Sequence, residues 1–389
     1  MWDDPRFRGA LPGSLPLEGN SFYEEISGFG PFGYDYPRNA SLSRSDRPDS
    51  SQKQEPTIFN AVYEEKPEED HSMDRLPKFS CFSGFSHGLC LLLLIGLLGI
   101  PASWASEPQD DAQDAEPQTG RAKTSDGLSI AYSYWNRPSS SDRPTLVFVH
   151  GWSCDRSYWS SQTEAFAGDY PVVTLDLAGH GSSDIDRAQW TLDAFGEDIR
   201  AVVDALGLEQ VVLIGHSMGG PAVLAAAPRL GKRVLGVVGV DTFHNVEFQM
   251  PPEQWKPILD AYRSDYRGTC AQFTGSMFLG QESELRHRIT EDMCSGPQDV
   301  GLALMEEFGR FDGKAAFSAV QAPIRSLNAA RGFQTAIEIN RKYSPGFDAV
   351  VMDEVGHFLM MEEPETFNRH LAEILDGLLN PKASAESLQ

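Results

Sequence analysis

Residues 211–220 read Val-Val-Leu-Ile-Gly-His-Ser-Met-Gly-Gly, and this stretch decides the fold. Its four consecutive apolar residues predict a buried parallel strand, and the small residues at 221–227 predict a helix directly after it. Between them, the pattern G-x-S-x-G is typical of a sharp strand-to-helix turn that exposes a nucleophilic serine. We therefore expect Ser217 to project at the carboxyl edge of a sheet, where α/β folds bind their ligands.

Segments of strand and helix character alternate on both sides of this turn, which predicts an α/β fold with a mostly parallel central sheet flanked by helices. Between residues 245 and 320 helical patterns interrupt the alternation. An insertion at that point predicts a lid over a site at the edge of the sheet. The predicted strands are 128–135 (an edge strand), 145–150, 171–176, 211–215, 234–241, 323–327 and 348–352, and the predicted helices outside the insertion are 157–167, 191–206, 221–227 and 362–379.

The N-terminal third of the chain differs in composition from the rest. Residues 1–72 are rich in Pro, Gly, Ser and acidic residues and show no sustained apolar period, which predicts a disordered segment. Residues 73–105 combine a basic start, an apolar run at 89–100 and small residues near 105, which is the order of a secretory signal. We assign residues 106–123 to a polar linker, 124–380 to the folded domain with its lid at about 245–320, and 381–389 to a tail.

A signal peptide belongs at the N-terminus of a chain, and this one begins at Met73. We therefore expect translation to start at Met73, residues 1–72 to be an artefact of the gene model, and the protein to be secreted or periplasmic after cleavage before Ser106. Two alternatives remain: an uncleaved membrane anchor with a cytoplasmic tail, and an N-terminal tail that binds a partner. Contact with a membrane is expected only if the segment 89–100 is uncleaved.

Charge and cysteine content exclude several classes of function. The chain has 32 Lys and Arg against 56 Asp and Glu, a formal net charge of −24, which repels phosphate backbones and argues against nucleic acid as a partner. No CxxC or HExxH motif occurs, so we expect no metal site and no cofactor. In an oxidising compartment Cys270 and Cys294 could form a disulfide, and the alternative is two buried thiols.

A nucleophilic serine needs a general base and donors for the oxyanion. Of the nine histidines, His357 lies just past the last predicted strand, so it should lie at the same edge as Ser217 and act as the base. The expected oxyanion donors are the backbone N–H groups of Met218 and Trp152. Trp152 and His216 are also candidates for binding substrate, although the turn directs the His216 side chain away from the nucleophile.

Four motifs resemble those of the α/β-hydrolase superfamily, in the same order and over roughly residues 124–380. The resemblance implies a serine hydrolase with a helical cap after strand 6, acting on a small-molecule carboxylic ester, thioester or lactone without a cofactor. The same site would also suit perhydrolysis or haloperoxidase activity, carbon–carbon bond hydrolysis or a lyase reaction, and a degenerate member of the family would only bind. The motifs are Val-Phe-Val-His-Gly-Trp at 147–152, Asp-Leu-Ala-Gly-His-Gly-Ser-Ser at 176–183, Gly-His-Ser-Met-Gly-Gly at 215–220 and Gly-His-Phe at 356–358.

The resemblance leaves the third member of the catalytic triad open. The family usually carries its acid after the penultimate strand, but residues 323–337 contain no carboxylate and the first is Glu338. The family's other location is the end of the preceding strand, where Asp241 stands, so we expect Asp241 to orient His357. Glu338, a carboxylate at 353–354, and a dyad without an acid are the alternatives.

The lid is rich in side chains that could form either a roof over an acyl group or a small core of the lid itself. These residues are Met250, Trp255, Phe273, Met277, Phe278, Met305, Phe308 and Phe311.

Overall fold

A computed structural model describes residues 116–136, 143–280, 282–330 and 333–380. Within these ranges the strands are β1 (Gln118–Lys123), β2 (Ser129–Trp135), β3 (Thr145–Val149), β4 (Val172–Leu175), β5 (Val211–His216), β6 (Val234–Val240), β7 (Ile324–Ala329) and β8 (Asp348–Met352). They form one sheet in the order β1-β2-β4-β3-β5-β6-β7-β8. The β1–β2 and β2–β4 pairs are antiparallel, and every later pair is parallel, which confirms the predicted fold class.

The helices of the described residues are α1 (Ser160–Phe166), α2 (Leu192–Ala205), α3 (Gly219–Leu230), α4 (Pro252–Ser264), α5 (Tyr266–Gly275), α6 (Glu284–Ser295), α7 (Gln298–Phe308), α8 (Gly313–Ala319), α9 (Ile337–Arg341), α10 (Leu359–Glu362) and α11 (Pro364–Leu379). Helix α2 shows why these segments are helical. It buries Phe195, Ile199 and Val202 at spacings of three and four, and the Thr191 hydroxyl caps it by accepting from Ala194 N at 3.1 Å.

The core lies on both faces of the central strands. All five residues of β3 and all six of β5 are buried, because helices cover the two faces of a parallel sheet. This explains why these strands read as continuous apolar runs in the sequence. The carboxyl ends of β5 and β6, next to each other in the sheet, bring the residues that follow them to one edge.

Two predictions are wrong at the amino-terminal side of the sheet: the extent of the linker and the position of the first predicted strand at the edge. Residues 118–123 are not linker but strand β1, and 129–135 is therefore an inner strand, β2, covered by β1 on one side and β4 on the other. The pattern concealed β1 because it is an edge strand with only Ala122 buried. A strand that faces solvent along most of its length carries no apolar period.

Helices α4–α8 make up the insertion between β6 and β7, within the residues assigned to the lid, and we refer to them as the cap. The disulfide that the sequence left open is present: Cys270 on α5 is bonded to Cys294 on α6, with a Cα–Cα distance of 5.7 Å. The bridge ties these two cap helices together.

The predictions for residues 1–72 and 73–105 and for the tail at 381–389 concern parts of the chain outside the described residues. In the part of the chain that the structure describes, no helix has the length and apolar character needed to cross a membrane.

Candidate active site

Ser217 occupies the turn between β5 and α3. Its backbone is left-handed, with φ of +51°, and its N–H donates to Val240 O at 2.9 Å, so the end of β6 holds the turn in place. The flanking glycines are required by space. A Cβ on Gly215 would lie 2.3 Å from Gly219 O, and one on Gly219 would lie 2.5 Å from Val149 O. The turn is therefore as sharp as the G-x-S-x-G pattern predicted.

His357 and Asp241 form the contact expected of a general base and its orienting acid. His357 Nδ1 lies 2.6 Å from Asp241 Oδ2, and both side chains are buried. A carboxylate can only accept, so Nδ1 carries the proton and Nε2 is left as the basic nitrogen. His357 and Ser217 both line one cavity.

Asp241 is held in place from the neighbouring strand. Its Oδ1 accepts from Ala329 N at 2.8 Å, and its own N–H donates to Leu327 O at 3.0 Å. Burial by itself would raise the pKa of Asp241, but the imidazoles of His244 and His357 beside the carboxylate outweigh burial and bring the pKa below its ordinary value. Asp241 is therefore an anion at neutral pH, as an acid that orients His357 must be.

The structure does not bring the alternative acids to His357. Glu338 lies on α9 with its side chain 83% exposed, paired with Arg341 at 2.6 Å. Asp353 and Glu354 follow β8 and are exposed. Of the four carboxylates considered, only Asp241 contacts the imidazole.

Three groups hold the loop that carries His357, and no sequence pattern indicated them. The Glu362 carboxylate accepts from Gly356 N and Phe358 N, both at 3.0 Å, on either side of the histidine. His357 N donates to Met277 O of the cap at 2.8 Å, and His357 O accepts from His216 Nε2 at 3.0 Å. Carboxylate side chains that bond backbone N–H groups carry no sequence pattern, so only the structure could identify Glu362.

The two expected oxyanion donors are available. In the described part of the chain, neither the Met218 N–H nor the Trp152 N–H donates to a protein acceptor. Gly151 lets the backbone approach: a Cβ there would lie 3.3 Å from Ser217 Cβ. The Trp152 indole points into the cap and donates from Nε1 to Gly301 O at 3.0 Å, so one donor loop is tied to helix α7.

His216, the residue directly before the nucleophile, is buried. Because a carbonyl only accepts, its bond to His357 O places the proton on Nε2, and burial lowers the pKa of His216 to about 3, so the ring is neutral. It contributes to the cavity wall. His150 and His180 are also buried and bond to backbone groups. His150 Nε2 accepts from Leu177 N at 3.0 Å, and His180 Nδ1 bonds Ala178 O at 3.0 Å.

The cavity above Ser217 is narrow and apolar. Its empty volume is about 320 Å³ and includes space that is open to solvent, so the enclosed room for a substrate is smaller than this figure. Trp152 and His216, predicted to bind substrate, both belong to its wall. The full lining is Gly151, Trp152, Cys154, His216, Ser217, Phe273, Met277, Met293, Met305, Phe308, His357 and Phe358.

The roof residues predicted from the sequence divide into two groups. Phe273, Met277, Met305 and Phe308 line the cavity, together with Met293, which the sequence did not single out. The other four are not among the lining residues. Two of these pack inside the structure: Trp255 donates to Met305 O at 3.1 Å, and Phe278 stacks on Phe358 at 5.2 Å. The helical period cannot distinguish a face toward the cavity from a face toward a neighbouring helix.

Comparison with known proteins identifies the family. A family model described as the alpha/beta hydrolase fold matches residues 144–345, just over half of the chain. The chain therefore belongs to the α/β-hydrolase family, as its motifs suggested, and it is an enzyme of that family.

Named relatives cover several reactions. The 3-oxoadipate enol-lactonase 2 of Acinetobacter baylyi is 21% identical over 241 residues, which are 60% of this chain and 89% of that protein. The non-heme chloroperoxidase of Streptomyces lividans is 36% identical over 122 residues, 30% of this chain and 43% of that protein. Among solved structures, an esterase from Exiguobacterium antarcticum has a TM-score of 0.59 and 18% identity, with 67% of this chain and all of that chain covered. The likeness to this esterase shows that the two chains share a fold.

Proposed function

We propose that this protein is an exported serine hydrolase that cleaves a carboxylic ester, thioester or lactone through a Ser217–His357–Asp241 triad. The observation that carries the proposal is the 2.6 Å contact between His357 Nδ1 and Asp241 Oδ2, beside a cavity that also contains Ser217. It supplies an oriented base for a serine that already sits on a nucleophile turn.

The proposed reaction assigns one role to each of these groups. His357 Nε2 takes the proton of the Ser217 hydroxyl as Oγ attacks the carbonyl carbon, and Asp241 stabilises the imidazolium that forms. The backbone N–H groups of Trp152 and Met218 hold the negative oxygen of the tetrahedral intermediate. His357 then protonates the leaving group, and water, activated by the same imidazole, releases the acid from the acyl-enzyme.

The lining of the cavity limits the acyl group. Apart from His216, Ser217 and His357, its side chains are aromatic, thioether or thiol groups, and none of the lining residues is Lys or Arg. An acyl group that carries a carboxylate would lose its hydration there without gaining a cation. We therefore expect a small, uncharged, apolar acyl group.

Perhydrolysis is the second candidate, favoured by the similarity to the chloroperoxidase of Streptomyces lividans. The acyl-enzyme would form in the same way, and hydrogen peroxide in place of water would then release a peracid. Peracid formation from an ester with added peroxide, at a rate above ester hydrolysis, would favour this candidate.

We propose export because residues 73–105 have the order of a secretory signal. The Cys270–Cys294 disulfide supports the proposal, since such bonds persist in oxidising compartments. Amino-terminal sequencing of the protein from a culture fraction tests it: a start at Ser106 is expected, and a start far from that residue would contradict cleavage.

A fluorophosphonate probe tests the reaction without knowledge of the substrate. The wild type should gain the mass of one phosphonyl group, and Ser217→Ala should gain none. If the wild type forms the adduct, untreated wild type is then assayed with two esters. One is p-nitrophenyl butyrate, and the other is the p-nitrophenyl half-ester of succinate, which adds a carboxylate to an acyl group of similar length. The carboxylate of the half-ester also releases p-nitrophenol spontaneously, so the rate without enzyme is subtracted. Enzyme-catalysed hydrolysis of the butyrate ester and little of the half-ester is then expected. A folded wild type that forms no adduct would overturn the proposal.

A further inference from the structure

A second histidine approaches the acid of the proposed triad from the side opposite His357. His244 Nε2 lies 3.5 Å from Asp241 Oδ1, while His357 Nδ1 contacts Oδ2. His244 is three positions after Asp241, so both belong to the segment that leaves β6. The His244 side chain is 15% exposed, which keeps this contact largely away from solvent.

The neighbouring strand determines which nitrogen of His244 carries the proton. Asn328, fully buried on β7, accepts from Thr242 N through Oδ1 at 3.2 Å, so its amide nitrogen is on the other side. That nitrogen donates to Thr335 Oγ1 at 2.8 Å and faces His244 Nδ1 at 3.4 Å. An amide nitrogen has no lone pair to offer, so Nδ1 is the acceptor and the proton lies on Nε2, facing Asp241.

The backbone around His244 is also fixed. Its carbonyl accepts from Ala336 N at 2.7 Å, and its ring packs against Phe333 with centroids 5.4 Å apart. Asp241 and Phe243 have left-handed backbones, with φ of +45° and +60°. Non-glycine residues adopt this conformation when surrounding contacts impose it, so the segment is held in a shape that directs His244 back onto the acid.

We propose that His244 is a positioning residue for Asp241: it donates from Nε2 to Asp241 Oδ1, and Asn328 holds it in the required tautomer. The inference rests on the proposed triad. Asp241 follows β6, and two residues at the end of the adjacent strand β7 hold its carboxylate. Ala329 N donates directly to Oδ1, and Asn328 acts through its contact with His244. With Oδ1 held by two donors, the carboxylate cannot rotate away from His357.

Distance ranks the two imidazoles. The His244 contact with Asp241 is 0.9 Å longer than the His357 contact. We therefore expect loss of the His244 contact to lower the rate less than loss of the His357 contact would. Loss of a hydrogen bond to a charged group corresponds to a rate loss of about 10- to 100-fold. We expect His244→Leu to lie in the lower part of that range, well above the rate of a variant without the acid.

The kinetic test compares His244→Leu with His244→Gln and with a remote control. Gln places an amide N–H near the position of Nε2 and should restore most of the activity. The control is His287→Leu, an exposed histidine on α6. With p-nitrophenyl butyrate, His244→Leu should lower kcat about tenfold with KM nearly unchanged and slow fluorophosphonate labelling by a similar factor, while His244→Gln and His287→Leu stay within about twofold of wild type.

A spectroscopic measurement on the folded wild type tests the tautomer directly, whatever the stability of the variants. Long-range proton–nitrogen spectra of the histidine rings, with the His244 signals assigned by their loss in His244→Gln, should show protonated Nε2 and bare Nδ1 at neutral pH. The opposite tautomer would overturn the proposal, and so would wild-type kcat in folded His244→Leu. A wild type that does not react with fluorophosphonate would instead contradict the proposed function.

Discussion

The carboxyl edge of the sheet and the cap above it belong to one site but are built by different rules. At the edge, Ser217, Asp241 and His357 follow strands or turns whose geometry is determined by backbone hydrogen bonds and obligatory glycines. The cap contributes side chains from helices α5, α6 and α7 and from the loop after α5, and a disulfide joins α5 to α6. Under the function proposed above, the edge would determine whether a reaction occurs, and the cap would determine which acyl group is admitted.

Substitution of the acid should show the largest effect. Asp241→Asn keeps the shape of the side chain but removes the anion that orients His357, and we expect kcat to fall by about four orders of magnitude. Turnover of p-nitrophenyl butyrate measures it. Glu338→Gln, at the exposed carboxylate of the region where the family usually carries its acid, serves as the control and should be unchanged. Comparable rates for the two variants would contradict the assignment of Asp241.

Removal of the cap disulfide should affect stability more than chemistry. A double Cys270→Ala and Cys294→Ala variant frees a segment whose ends are 24 residues apart, and the free energy of unfolding should fall by about 3 kcal/mol. Urea unfolding measures the loss, and the rate of fluorophosphonate labelling should change by less than Asp241→Asn changes it. Cys154→Ala, which removes a buried free thiol, should cost less. An equal loss in both variants would show that the covalent bond has no special part in stabilising the cap.

Acidification should destabilise the region of the sheet edge. Burial lowers the pKa of His150 to about 4 and that of His180 to about 3, against about 6.5 in the unfolded chain. The unfolded state therefore takes up protons first as pH falls below about 6.5. The contribution of each histidine to the free energy of unfolding is complete above this pH. As the pH falls toward the folded pKa values, it declines by at most about 1.4 kcal/mol per pH unit for each histidine.

Urea unfolding at pH 7 and pH 5.5 measures this decline. His180→Asn should show a smaller decline between the two pH values, because it keeps an N–H for Ala178 O and does not titrate in this range. An identical pH dependence in variant and wild type would exclude His180 as a contributor.

The smallest effect is expected where the edge meets the cap, in the loop that carries His357. Glu362→Gln replaces one of two acceptor oxygens with a donor that faces a backbone N–H, so the loop should loosen. We expect kcat with p-nitrophenyl butyrate to fall about tenfold. Glu363→Gln, next to it and exposed, should behave as wild type. A fall in melting temperature without a fall in kcat would show that Glu362 serves only the fold.

The accuracy of sequence-based prediction followed burial. Strands β3, β5 and β6 lie inside the sheet and produce apolar runs, so their positions were predicted within one or two residues. Strand β1 is mostly exposed and was missed. In the site, Ser217 and its glycines form a local pattern, and Asp241 was selected because the other candidate region lacked a carboxylate. Glu362, His244 and Asn328 were not predicted, because they act through contacts between segments far apart in the chain.

The sequence by itself determined the fold class, the nucleophile turn and the order of the residues proposed for catalysis, because these depend on local spacing, glycine conformations and strand periodicity. The tertiary structure decided which carboxylate contacts His357, which cap side chains face the cavity, and that Cys270 pairs with Cys294. Each of these is a distance between residues that folding alone brings together. Such distances are set by packing of the sheet, the loops and the cap against one another, and no local pattern encodes them.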